Sequence, residues 1–290
     1  MHQRILILIA LFVFTTASYP RHATAALVIL NDRNSEVRTD LFTNFNVWNV
    51  DGTDHLKQEW FWIRVNDDPK ETIITSLNKD AFQYGDGNLE PGDDRLFVRW
   101  FDPFDRFELT FEQVLTGGPV GSGVSDVTHT VRIVNLTDEP LDVNLFQLAD
   151  FDLIGTETGD TVEFVSANVV EQTELNSIMR ETFTTHSPAT TQVGMAGSIL
   201  ASLTDNAKTN LDGSVGPFSA ADVEYAVQWT ETIPVGGAFV VNKSLLISSA
   251  DSIVPEPGAF VTLSAGVLLF VLRHRPSRAN TRSRESKGNH

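Results

Sequence analysis

The chain has no cysteine, which excludes disulfides, thiol catalysis and thiolate metal sites. Its export status is untouched by that absence, because a body of this length can rely on a large core instead. Histidine is sparse too. Those of the body, His55, His129 and His186, stand alone, with no H-E-x-x-H or other ligand spacing. No G-x-S-x-G elbow, phosphate-binding loop or dinucleotide fingerprint is present. Basic residues are scarce between residues 26 and 253, thirteen against thirty-six acids, a net charge of −23. Such a body is repelled by nucleic acid and by anionic membrane surfaces, and suits divalent cations or cationic partners. Convincing long amphipathic helices are missing, and no period of 20–50 residues repeats.

What is present is period-2 alternation. "DRFELTFEQVL" sets Phe107, Leu109 and Phe111 against Glu108, Thr110 and Glu112, and "DVEYAVQWTETI" sets Val223, Tyr225, Val227 and Trp229 on one face. "TVEFVSANVV", "VTHTVRIVNL" and "AFVVNKSLLIS" are similar and rich in β-branched residues. Turn signals such as Asp51-Gly52, Pro91-Gly92-Asp93 and Gly236-Gly237 separate them. About a dozen strands are predicted, with one short helix around 171–180. The fold class is all-β, an antiparallel many-stranded β-sandwich over residues 26–250, and the glycine-rich 117–123 stretch is a candidate separator of its sheets or halves.

Three stretches of the body could carry chemistry. In "QEWFWIRV", Trp60 and Trp62 share one face and Phe61, Ile63 and Val65 the other. An exposed tryptophan pair stacks on sugars, but two apolar faces predict a central strand buried on both sides. The acidic loop "YGDGNLEPGDD" offers Asp86, Asn88, Glu90 and Asp93 as hard oxygen ligands for Ca²⁺, without the EF-hand spacing. A solvated acidic turn is the alternative, so no cofactor is required and calcium is the one the loop would suit. Asp150 and Asp152 in "FQLADFDLIG" alternate onto one strand face, where paired carboxylates would serve glycoside hydrolysis. Catalytic pairs usually come from different strands, so a wet face or a metal edge is the plainer reading, and no residue is assigned as catalytic.

The two ends differ from the body. Arg4, the apolar run 5–14 and the small-x-small pattern Ala23-Thr24-Ala25 read as a secretory signal peptide over residues 1–25. Near the other end, "VPEPGAFVTLSAGVLLFVLRHRPSR" places Pro255-Glu256-Pro257 before the uncharged stretch 258–272 and then Arg273, Arg275 and Arg278. That stretch would be roughly 22 Å long as a helix, short for a bilayer core. Its prolines and arginines read as a single transmembrane helix with the basic side in the cytoplasm.

The order of these three elements over 251–278 resembles the PEP-CTERM sorting signal of Gram-negative bacteria. The resemblance implies recognition of Pro255-Glu256-Pro257 by an exosortase, a membrane-embedded cysteine protease or transpeptidase, in organisms that make extracellular polysaccharide. It implies secretion machinery and exosortase as partners, a membrane-anchored stage, and then a surface or extracellular location. The tail 279–290 runs beyond the arginines, where that family usually stops, and the resemblance says nothing of the body. The function expected from all this is a non-enzymatic cell-surface or extracellular-matrix protein associated with exopolysaccharide. A carbohydrate-active enzyme (hydrolase, lyase or mutarotase-like) on a β-sandwich is the alternative.

Overall fold

The structure is a computed structural model that describes residues 27–88, 90–219 and 222–249. The expected signal cleavage at Ala23 and Ala25, the Pro255-Glu256-Pro257 motif, the 258–272 stretch and Arg273, Arg275 and Arg278 lie outside the described residues. Among the described residues, no helix is long and apolar enough to cross a membrane.

The chain opens with β1 (Leu27–Asp32), β2 (Ser35–Asp40), β3 (Phe45–Val50), β4 (Thr53–Asp54), β5 (Gln58–Val65) and β6 (Thr72–Ile73). Then come β7 (Asn78–Gly85), β8 (Arg95–Phe101), β9 (Phe107–Gly117), β10 (Val124–Asn135) and β11 (Leu141–Asp150). The second half holds β12 (Thr161–Ser166), β13 (Val169–Glu174), β14 (Ser177–Phe183), β15 (Thr190–Met195) and the helix α1 (Ser198–Thr204). It closes with β16 (Phe218–Ser219), β17 (Val223–Ile233) and β18 (Ala238–Ser249). These form two antiparallel sheets. The first runs β1-β2-β3-β5-β11-β17-β15, with β4 on β3 and β6 on β5, and the second runs β16-β12-β13-β14-β18-β10-β9-β8-β7.

The alternation in the sequence explains why these segments pair as a sandwich. Phe107, Leu109, Phe111 and Leu115 of β9 are buried while their neighbours stay half-exposed, and β10 and β18 follow the same rhythm. The inward rings meet between the sheets: Phe61 and Phe111 lie with centroids 5.9 Å apart, and Phe183 meets Trp229 edge-on at 5.5 Å. As its two apolar faces predict, β5 is a central strand buried on both sides.

Two expectations are corrected. Residues 171–180 are not helical but form the β13–β14 hairpin, turned at Leu175 with φ +48°. The period-2 signal is hidden there because inward positions are polar: Gln172, Glu174 and Glu181 are buried beside Val170, Met179 and Phe183. The glycine-rich 117–123 loop separates nothing. It joins β9 to β10 inside one sheet, and the Asp51 carboxylate accepts from Gly121 and Gly123 N–H at 2.6 and 2.8 Å. Gly117 must be glycine for a steric reason, since a Cβ there would stand 2.0 Å from the Asp32 carbonyl oxygen.

Eight polar side chains cross the interior. Lys243 on β18 donates to Glu59 on β5 and to Glu181 on β14, the latter at 2.7 Å. Glu181 also accepts from Tyr225 Oη at 2.6 Å and from Gln147 Nε2 at 2.9 Å. On the other side His129 Nδ1 lies 3.3 Å from Glu59, and its Nε2 lies 3.0 Å from Gln113 Nε2. Gln113 Oε1 accepts from Thr39 Oγ1 at 2.7 Å. The Gln113 amide nitrogen is therefore the donor to His129 Nε2, which places the imidazole proton on Nδ1, facing Glu59. Burial pushes the His129 pKa down against the opposing pull of Glu59, with Lys243 adding to the lowering. Burial would raise Glu59, but Lys243 and His129 overcome it and hold the carboxylate below its ordinary range.

Candidate functional site

The outer face of the first sheet carries the site. Because opposite residues in an antiparallel pair point to the same side, the register Trp62↔Phe146, Trp60↔Leu148 and Gln58↔Asp150 fixes one continuous surface. It is partly roofed by α1 and the segment after it. Glu224 of β17 accepts from the N–H groups of Ile199 and Leu200, and Arg64 of β5 donates to Glu71 and to the Thr209 carbonyl at 2.7 Å. Under one end of this roof a cavity of about 310 Å³ opens, lined by Trp60, Trp62, Gln58, Asn44, Thr75 and Leu200.

Beside that cavity lies a group of carboxylates. β11 ends at Asp150, Phe151 turns into the core to stack on Tyr225, and Asp152 therefore returns to the side of Asp150. Gln172 Nε2 fixes this turn by donating to the Phe151 carbonyl at 2.6 Å. His55 Nδ1 accepts from the Ile154 N–H at 3.2 Å. Asp222, just ahead of β17, completes the group: one oxygen each from Asp150, Asp152 and Asp222 lie within 4.8 Å of one another. Asp150 is 4% exposed, and the Oδ1 atoms of all three are buried without a hydrogen-bond partner.

Crowding shows in the protonation equilibria. Burial, then Asp222 and Asp152, push Asp150 up to about 8. Burial raises Asp152 to about 6 against the pull of Lys57, and burial with Glu174 raises Asp160 to about 7. Asp222 and Glu224 are raised by burial as well. Lys57 is the nearby cation, but its ammonium is half-exposed and bonded to Glu157 at 3.0 Å. Concentrations of perturbed carboxylates of this kind mark functional sites.

The acidic loop, by contrast, spends its side chains on its own turn. Asp86 Oδ1 accepts from the Asn88 N–H at 3.0 Å, Asn88 Oδ1 accepts from the Glu90 N–H at 2.5 Å, and Glu90 pairs with Arg33 at 3.0 Å. Asp93 contributes its backbone carbonyl, which accepts from Asn31 N–H at 2.7 Å. Among the described residues, the acids whose oxygens converge are Asp150, Asp152 and Asp222, not Asp86, Glu90 and Asp93. Two clefts of about 480 and 600 Å³ adjoin this loop, larger than the tryptophan cavity. Their arginines are already paired, Arg95 with Glu112 at 2.7 Å and Arg33 with Glu90, and of their acids Asp32 keeps one buried oxygen without a partner. Volume therefore favours those clefts and chemistry favours the first sheet. Three unpartnered carboxylates that converge decide for the latter.

Sequence reasoning found Asp150, Asp152, Trp60 and Trp62 but did not connect them, and it missed Asp222 altogether. Asp222 stands 70 residues beyond Asp152 and only the β11–β17 pairing brings them together. His129, expected as a partly buried strand residue, is fully enclosed, and His186 is exposed with its ring against Phe239.

No family model and no curated protein matches the chain. Solved structures are similar to it over most of its described length. A bacterial glucoamylase crystallised with acarbose is similar with a TM-score of 0.54 and 9% identity, over 84% of this chain and 33% of that one. A putative aldose 1-epimerase from Escherichia coli K12 gives a TM-score of 0.48 and 8% identity, over 77% of this chain and 99% of that one. A galactose mutarotase-like protein from Lactobacillus casei gives 0.47 and 8%, over 76% and 99%. The chain thus spans a third of the length of the glucoamylase, and at these identities the likeness concerns the fold. It nevertheless corrects the expectation of a non-enzymatic cell-surface or extracellular-matrix protein. The sandwich on which that reading was built is shared with a glucoamylase.

Proposed function

We propose that the chain is a carbohydrate-active enzyme that takes a sugar into the cavity edged by Trp60 and Trp62 and presents the Asp150, Asp152 and Asp222 group to one of its oxygens. One observation carries this reading. The Gln58↔Asp150 pair joins the tryptophan-edged cavity to the convergent carboxylates, so a cavity and a charged group share one sheet face. Gln58 and Asn44 supply hydrogen bonds to hydroxyls. A preorganised charged group beside a sugar oxygen stabilises the charge that develops as a C–O bond is made or broken. The shared sandwich adds fold-level support.

The test is turnover of a panel of mono- and oligosaccharides, scored for hydrolysis and for anomer interconversion. Asp152→Asn is expected to lower kcat/KM about 100-fold. Trp62→Ala is expected to raise KM while the protein still folds. Full activity in both variants would remove this face from the chemistry.

We also infer export, from the leader over 1–25 and the Pro-Glu-Pro, apolar and arginine order over 251–278. Replacing Pro255, Glu256 and Pro257 by alanine is expected to leave secretion across the membrane intact and to block C-terminal processing. Full-length protein would then accumulate in the membrane fraction. A mature form ending at the same residue would refute the sorting role.

A further inference from the structure

We infer that Asp150, Asp152 and Asp222 form a divalent-cation site of the Ca²⁺ type, with open coordination positions that face the tryptophan cavity. The cation itself is argued from the group's own geometry. Its role toward sugar rests on the carbohydrate reading above.

Three carboxylates drawn from the end of β11, the turn after it and the approach to β17 bring their oxygens within 4.8 Å of one another. Such convergence is repulsive unless something positive lies between them. The side chains do not relieve it among themselves. Oδ1 of each is buried and without a hydrogen-bond partner, and Asp150 is 96% buried, so it cannot turn out to water. Protein cations relieve it only in part. Lys57 pulls on Asp150 and Asp152 but is committed to Glu157 and half-exposed, while Asp54, Glu157 and Glu224 add further negative charge around the group.

Ligand chemistry selects the ion. All donors are hard oxygens, which disfavours thiophilic or imidazole-seeking metals. Ca²⁺ takes roughly six to eight oxygens, so three carboxylates leave positions unfilled. Asp150 stands opposite Gln58, whose side chain lines the cavity, and this places the unfilled positions toward the bound sugar. Vicinal sugar hydroxyls would complete the shell, and the ion would polarise the oxygen it holds.

The test uses the full chain, stripped with chelator, and CaCl₂ or MgCl₂ alone with no sugar. Ca²⁺ is expected to raise Tm by about 5 °C at saturation, with Mg²⁺ weaker. Asp152→Asn and Asp222→Asn are expected to abolish the rise. Asp150→Asn should leave the metal-free Tm close to that of the wild type and yet abolish the response to Ca²⁺, an outcome that misfolding does not mimic. Asp86→Asn with Glu90→Gln, in the acidic loop, should leave the response intact. A Tm indifferent to millimolar Ca²⁺, or a response lost in the loop variant and kept in Asp152→Asn, would overturn the site. The two readings fail separately. Turnover that survives chelation removes the cation's role toward sugar and keeps the enzyme, and Ca²⁺ binding without turnover of any sugar keeps the cation site and removes the enzyme.

Discussion

Lys243→Met is expected to lower the stability of the folded chain by about 3–5 kcal/mol, the largest effect of any single substitution considered. Lys243 is 2% exposed and holds two carboxylates, Glu59 from the first sheet and Glu181 from the second. Without the ammonium, two buried carboxylates face each other across the interior, and His129 beside Glu59 is the partner that remains. Typical domains hold a margin of about 5–15 kcal/mol, so the variant should unfold at a much lower urea concentration or fail to accumulate. Adding Glu59→Gln and Glu181→Gln to Lys243→Met is expected to recover part of the loss, because neutral amides lessen the charge left behind. An unchanged urea midpoint for the single variant would show that the ion network contributes nothing to stability.

The second large effect lies with His55, which is 3% exposed and held at a pKa of about 4, chiefly by burial, against the opposing pull of Asp54. The sign follows from proton uptake. Below the ordinary value of 6.5 an unfolded chain protonates this ring while the folded chain does not. The contribution is therefore complete above pH 6.5 and is lost as the pH falls toward 4. The shift corresponds to about 3 kcal/mol. His55→Asn keeps an acceptor near the Ile154 N–H and cannot titrate in this range. The stability difference between the wild type and this variant is expected to shrink by that amount between pH 7 and pH 4. A flat difference across that interval would mean that the imidazole titrates normally inside the fold.

The parts of the site that sequence made visible were those whose signal is local. Two tryptophans in a strand with two apolar faces, and two aspartates spaced by one residue, are patterns within eight positions. Their meaning was not local. Trp60 and Trp62 are buried as that pattern requires, yet they line a cavity because α1 and the 198–209 segment stand above them as a roof. That helix itself was invisible, since seven residues give too few turns for a 3.6 period to register. The buried network was equally hidden: Thr39, Glu59, Gln113, His129, Gln147, Glu181, Tyr225 and Lys243 read as ordinary strand residues, and only the packing of two sheets makes them one group.

Alternation of side chains along each strand, set by the two-residue period of the pleat, determined by sequence alone that this is an antiparallel sandwich and where most of its strands run. Composition likewise determined that the body is acidic and free of thiol chemistry. Tertiary structure alone decided which strands lie side by side, and so that Asp222 joins Asp150 and Asp152 while the acids of the 86–94 loop stay apart. Pairing order depends on which hydrophobic faces bury most area together. That is a property of the whole folded chain, and no stretch of it records the answer in advance.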